Sequence, residues 1–130
     1  KNKWGRIINV TSVSVKEPLN YLVLSNSIRS AVVAWAKSLS VDVGKDGVTV
    51  NSILTGYFDT ERIKDLNKEK SKSLNISEDE VLEKMKSLVP INRLGKTEED
   101  GFLVSFLSSD KAAYINGASI PIDGGLLKSY

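Results

Sequence analysis

The chain has 130 residues, enough for one domain with a core of its own. Lys and Arg number 18 against 16 acidic residues, and the net charge of +2 gives no strong field for a polyanionic partner. Cysteine and histidine are both missing, which excludes disulfides, thiol catalysis, Cys/His zinc sites and imidazole bases. The nearest basic run, residues 64–72, alternates with Asp65 and Glu69 and reads as a solvated helix face, so no nucleic-acid partner is expected. No apolar run approaches the roughly 20 residues that cross a bilayer, and no secretory signal is expected. A soluble, reducing, cytoplasmic setting without a membrane partner is the expectation. The chain starts Lys1-Asn2-Lys3-Trp4, without methionine, and enters a strand pattern at once, as the interior of a longer polypeptide would.

Residues 6–10 (RIINV) are apolar and β-branched, which predicts a strand buried on both faces. Residues 11–18 form its exit loop. Between residues 20 and 43, Leu24, Ile28, Ala31, Val32, Trp35 and Leu39 recur at helical spacing. Gly44 stops that helix, and Asp46-Gly47 makes a turn. Residues 48–54 (VTVNSIL) predict a second buried strand. Strand, long helix and strand of this type compose a right-handed βαβ unit with parallel strands.

The stretch 55–96 is too long for a plain connection. It carries charged amphipathic segments at 60–70 and 77–88, the second opening on a Ser77-x-x-Glu80 capping box and closed by Pro90. Thr97–Leu107 predicts another helix, capped by Thr97 with Asp100 three residues on. Residues 118–122 predict the last strand, followed by an Asp123-Gly124-Gly125 turn. An open α/β sheet holds ligands beyond the carboxyl ends of its strands. The loops after Val10 and Leu54 and the long excursion are therefore expected to share one cleft.

Four stretches in this order resemble the short-chain dehydrogenase/reductase family, over nearly the whole chain. GRIINVTSV (5–13) and the helix that follows place Ser12 thirteen residues before Ser25, with Arg29 one turn later. The family has serine, tyrosine and lysine at this spacing. DVGKDGVTVNSILTGYFDT (42–60) is similar to the family's Val-Asn-x-x-x-Pro-Gly-x-x-x-Thr, with Gly56 and Thr60 in place and Thr55 where the proline stands. Residues 93–125 resemble its closing helix, last strand and Gly-Gly turn.

The resemblance, closest to the 3-oxoacyl-acyl-carrier-protein reductase type, implies an α/β fold. The chain would be the C-terminal half of a Rossmann-type doubly wound parallel sheet, with three strands, long helices and a substrate loop at about 55–96. It would belong to a single domain whose N-terminal cofactor-binding half, with the glycine-rich phosphate loop, lies outside the chain. It further implies an oxidoreductase that uses NAD or NADP to interconvert a small-molecule carbonyl and a secondary alcohol. Gly56, the Phe58 backbone, Thr60 and Arg29 would hold the cofactor. The central helix would pack between subunits of a homodimer or homotetramer. The N-terminal half of the polypeptide, or another chain, would cover the flat apolar edge of strand 6–10.

The implied catalytic set, Ser12, Ser25 and Arg29, is not the standard triad. In the family a tyrosine hydroxyl exchanges the proton, tuned from its ordinary pKa of about 10 by a neighbouring cation. An aliphatic serine hydroxyl is a far weaker acid and shorter than tyrosine, so Ser25 is a poor replacement. Arg29 keeps a fixed positive charge for ribose hydroxyls or a developing oxyanion, without shuttling protons. Tyr21, Ser25 and Arg29 stand at i, i+4 and i+8, which makes Tyr21 the candidate substitute proton donor. Plain structural roles stand beside these: a loop cap for Ser12, an early-turn position for Ser25, a solvent-facing one for Arg29. Trp35 belongs to the core or to a subunit interface, and Tyr57 and Phe58 to cleft walls or packing. Asp59 and Asp123 lack partners at a metal-ligand spacing, so no metal is expected. Two alternatives to the enzyme remain: a non-catalytic nucleotide- or ligand-binding subunit, and a fragment active only when joined to its N-terminal half.

Overall fold

The computed structural model describes residues 3–20 and 22–129. Strands β1 (Gly5–Val10), β2 (Val48–Thr55) and β3 (Ser119–Ile122) form one parallel sheet in the order β1-β2-β3. Register pairs Ile7 with Val50 and Ile53 with Ile120. Helix α1 (Val23–Gly44) joins β1 to β2, as the periodicity predicts. Helices α2 (Glu61–Leu74) and α3 (Glu78–Ser87) occupy the long excursion, and α4 (Thr97–Leu107) precedes β3. No helix among the described residues is long and apolar enough to cross a membrane.

Burial concentrates on β2. Val50, Ile53 and Leu54 are fully buried, and alternation sends Ile53 to one face, where it packs with Leu107 and Ala112. Val50 and Ser52 line the opposite side with Val33 and Ala36 of α1. A polar residue survives inside because its bonds are met. Asn51 donates to the Ile115 carbonyl at 2.8 Å and accepts from the Ala118 amide at 3.0 Å. These bonds tie β2 to the chain entering β3. Strand β1 is only half-buried rather than covered on both faces, because it stands at the sheet's edge.

Helix α1 sets Ala36 and Ser40 inside, and such small side chains allow close approach to the sheet. Its larger apolar residues point elsewhere: Leu24, Ile28 and Trp35 are 74%, 56% and 52% exposed. The stripe expected from the spacing is thus outward at Leu24, Ile28 and Trp35 and half-buried at Val32 and Leu39, and within this chain Trp35 is not core. At α3 the capping box forms as expected, with the Glu80 amide donating to Ser77 Oγ at 3.1 Å and the Ser77 amide to Glu80 Oε2 at 2.9 Å. At α4 the cap lies one residue earlier than expected. The Lys96 amide donates to Glu99 Oε2 at 2.8 Å, while Arg93 grips both Glu99 oxygens at 2.8 and 2.7 Å. That grip draws Glu99 to the helix start and leaves Asp100 without a capping role.

Candidate functional site

The exit from β1 is held by a threonine clasp. The Thr11 amide and hydroxyl both donate to the Ile53 carbonyl, at 2.8 and 3.0 Å, and Thr55 Oγ1 donates to the Thr11 carbonyl at 2.8 Å. Thr11 is buried, so the chain leaving β1 has one path. Ser12, the next residue, is extended and accepts from the Ser14 amide at 3.2 Å. A hydroxyl that accepts here still carries its proton, so Ser12 can donate to a ligand. The loop-cap role and a catalytic role are compatible in this geometry.

On the first turns of α1, Arg29 Nε donates to Ser25 Oγ at 3.1 Å. This bond fixes the direction of the guanidinium and leaves its remaining N–H groups available. Ser25 therefore orients Arg29, a role that sequence spacing alone did not specify. Tyr21, the candidate substitute for the missing tyrosine, lies outside the described residues.

The loop after β2 is pinned on two sides. A parallel bridge pairs Phe58 with Gly95, through Gly95 amide to Tyr57 carbonyl and Asp59 amide to Gly95 carbonyl, each 2.9 Å. Neither bond uses the N–H or C=O of Phe58 itself. A Cβ on Gly95 would meet the Phe58 ring at 2.8 Å. A Cβ on Gly56 would stand 2.7 Å from Cα of Asp123, so this glycine is demanded by the β3 turn behind it. Asp123 is itself committed, accepting from the Gly125 and Leu127 amides at 2.9 and 2.8 Å. Thr60 is the N-cap of α2 and accepts from the Ile63 amide at 3.4 Å.

These segments enclose a cleft of about 650 Å³ at the carboxyl ends of β1 and β2. Ser12, Ser25, Arg29, Gly56, Phe58 and Thr60 all line it, and so does Tyr57. The single shared cleft expected from the topology is present. The long excursion supplies the far wall, as expected, through Ile63 and Leu66 from α2 and Met85 from α3, residues that sequence reasoning did not single out. Thr97 and Asp100 from α4 lie beyond the excursion and were missed. The signal was there in the two amphipathic segments, whose apolar faces needed something to cover. It missed Arg62 too, a second cation on the cleft. Asp100 Oδ1 is buried without a hydrogen-bond partner, and burial raises the pKa of this carboxyl. Among the described residues, no three acidic, histidine or cysteine side chains converge as a metal site would require.

Comparison with known proteins finds relatives over nearly the whole chain. Residues 1–127 match a family model described as enoyl-(acyl carrier protein) reductase. The chain is 33% identical to the NADPH-dependent reductase BacG of Bacillus subtilis, covering 99% of the chain and 50% of that protein. It is 32% identical to the 3-oxoacyl-acyl-carrier-protein reductase FabG of Pseudomonas aeruginosa, covering 99% of the chain and 48% of the relative. Among solved structures it superposes on YwfH, an NADPH-dependent reductase of bacilysin biosynthesis, with a TM-score of 0.92 at 31% identity, covering 99% of the chain and 49% of that structure. The chain spans about half the length of the relatives it matches.

Proposed function

The chain belongs to the short-chain dehydrogenase/reductase family, of the 3-oxoacyl-acyl-carrier-protein reductase type, and on that premise we propose that it is the substrate-binding half of a nicotinamide-dependent oxidoreductase that interconverts a carbonyl and a secondary alcohol. The observation that carries this reading is the convergence of Ser12, Arg29, Gly56, Phe58 and Thr60 on one cleft. NADPH is named for two of the relatives, BacG and YwfH, and a nicotinamide cofactor, NAD or NADP, fits the residues here. The Phe58 amide is outside the Gly95 bridge, and Phe58 and Arg29 line the same cleft. Gly56 does not add a cradle for it, since the space beside its Cα belongs to Asp123.

When bound, the nicotinamide supplies the hydride. The chain's own residues handle the oxygen. Ser12 donates its hydroxyl hydrogen bond to the carbonyl oxygen and keeps it as negative charge develops there. Arg29, steered by Ser25, adds a fixed positive charge that favours that oxyanion. Tyr21 then delivers the proton that completes the alcohol, so Tyr21→Phe should abolish turnover while leaving cofactor affinity unchanged. Unchanged turnover would end that assignment.

The half-buried edge of β1 supports pairing with a preceding half of the same polypeptide, which would bring the rest of the cofactor site. The exposed Leu24, Ile28 and Trp35 support packing of α1 between subunits of a homodimer or homotetramer. A cytoplasmic setting completes the proposal.

One observation favours a second reading. Ser25 is an acceptor for Arg29 rather than an acid, as a non-catalytic nucleotide- or ligand-binding subunit would permit. Titration of the full-length protein with reduced nicotinamide, read by its fluorescence and followed by a carbonyl screen, separates the two. Binding with turnover is expected. Binding without turnover supports the second reading, and no binding at all removes the first.

A further inference from the structure

Within the proposed oxidoreductase, and resting on that reading for the role of Ser12, we propose that Glu17 is a positioning residue: its carboxylate grips the segment after β3 against the turn that carries Ser12, and so holds the Ser12 hydroxyl in place for the reacting oxygen. Glu17 Oε1 accepts from the Lys128 and Ser129 amides at 2.8 and 2.9 Å, 111 and 112 residues away along the chain. The Ser129 and Lys128 amides keep the Glu17 carboxyl below its ordinary pKa, so the acceptor is charged.

The start of the same segment is anchored behind the second loop of the cleft. Asp123 accepts from the Gly125 and Leu127 amides at 2.9 and 2.8 Å, and its Cα lies against Gly56. Residues 123–129 therefore form a strap from the loop after β2 to the loop after β1, with a carboxylate holding each end. The threonine clasp already ties the roots of these two loops. Beyond it, Ser12 is held more weakly. The bonds from the Ser14 amide to Ser12 Oγ and from the Val15 amide to the Ser12 carbonyl are both 3.2 Å, at the long end of the N–H···O range. The two bonds to Glu17 are shorter and made to a charge, which makes each roughly twice as strong as a neutral one. The Glu17 amide returns to the Val13 carbonyl at 3.1 Å, so what its side chain grips acts on the turn itself. Cleft residues flank it on both sides, Val13 and Ser14 before it and Leu19 and Leu22 after it.

The test is carbonyl reduction by the full-length protein, with reduced nicotinamide and cyclohexanone. Ser12 bonds the oxygen most strongly once charge has developed there, so a misplaced hydroxyl costs the transition state rather than substrate binding. Glu17→Ala should lower kcat by about tenfold, with KM and the affinity for reduced nicotinamide within about twofold of wild type. Glu17→Gln, which keeps an acceptor oxygen, should recover most of that loss. Lys128→Pro removes one donated amide from the other side of the contact and serves if the alanine variant fails to fold. It should lower kcat in the same way and add nothing when combined with Glu17→Ala. Wild-type kcat in these variants, or a loss confined to KM, would overturn the proposal. If the wild type binds the nicotinamide but reduces no ketone, the oxidoreductase reading falls instead, and amide hydrogen exchange decides on the strap. The Ser14 and Val15 amides should exchange about tenfold faster in Glu17→Ala while those of β2 are unchanged. Equal rates at Ser14 and Val15 in variant and wild type would overturn the strap's hold on Ser12.

Discussion

Strand β2 and the cleft at its carboxyl end are built from neighbouring residues under opposite rules. In β2 every need is met inside the chain: Ile53 is packed by Leu107 and Ala112, and Asn51 has both its bonds. A few residues further on, the cleft leaves needs open. Arg29 is exposed with one bond to Ser25, and Asp100 has a buried oxygen with none. The difference teaches where stability ends and function begins. Groups satisfied within the chain hold the fold, and an exposed cation such as Arg29 on a concave surface is open to a ligand.

Substitutions should separate the two regions by what they change. Ile53→Ala should have the largest effect on stability, about 2–5 kcal/mol, since the side chain is fully buried and its neighbours cannot close the cavity. Chemical denaturation measures it, and a loss below about 1 kcal/mol would mean that β2 is not the centre of the core. Asn51→Ala follows, at about 1–3 kcal/mol, because it strands the Ile115 carbonyl and the Ala118 amide. Near-wild-type stability there would show that the β3 entry is held by something else.

Smaller still is the effect at Glu99, on the rim. Arg93 and the Lys96 amide lower its pKa from 4.5 to about 2. A carboxylate with a depressed folded pKa contributes stability that is present above its unfolded value and lost as pH falls through the folded one. Glu99→Gln should therefore be less stable than wild type at neutral pH, and the gap should close between pH 4.5 and about 2. Thermal melts across that range check it, and a gap independent of pH would contradict the ion pair with Arg93.

Much of the first region was legible in the sequence. The runs RIINV and VTVNSIL gave parallel strands, and Ser77-x-x-Glu80 gave its capping box, because each signal is local and periodic. The site was legible as a list of positions: Ser12, Ser25, Arg29, Gly56, Phe58 and Thr60 do share a cleft. Their roles were less so. Ser25 steering Arg29 depends on rotamers, and the demand for Gly56 arises from Asp123, which is far away in sequence. Asp100 looked like a capping partner for Thr97. It is not, since Arg93 positions Glu99 for that role, and a contact across a loop leaves no periodic trace. The sequence left Trp35 on α1 between the core and a subunit interface, and the structure shows it exposed in this chain. Periodicity identifies an apolar face but cannot tell a sheet from a second subunit as its cover.

The central claim is that the cleft is catalytic with arginine where the family has lysine. Steady-state carbonyl reduction by the full-length protein, comparing wild type with Arg29→Ala, tests it most directly. Arg29 is exposed and carries no packing, so the variant should fold and melt like the wild type. Its kcat/KM should fall by about a hundredfold, the scale of one preorganised oxyanion donor. A variant as active as the wild type would contradict the account.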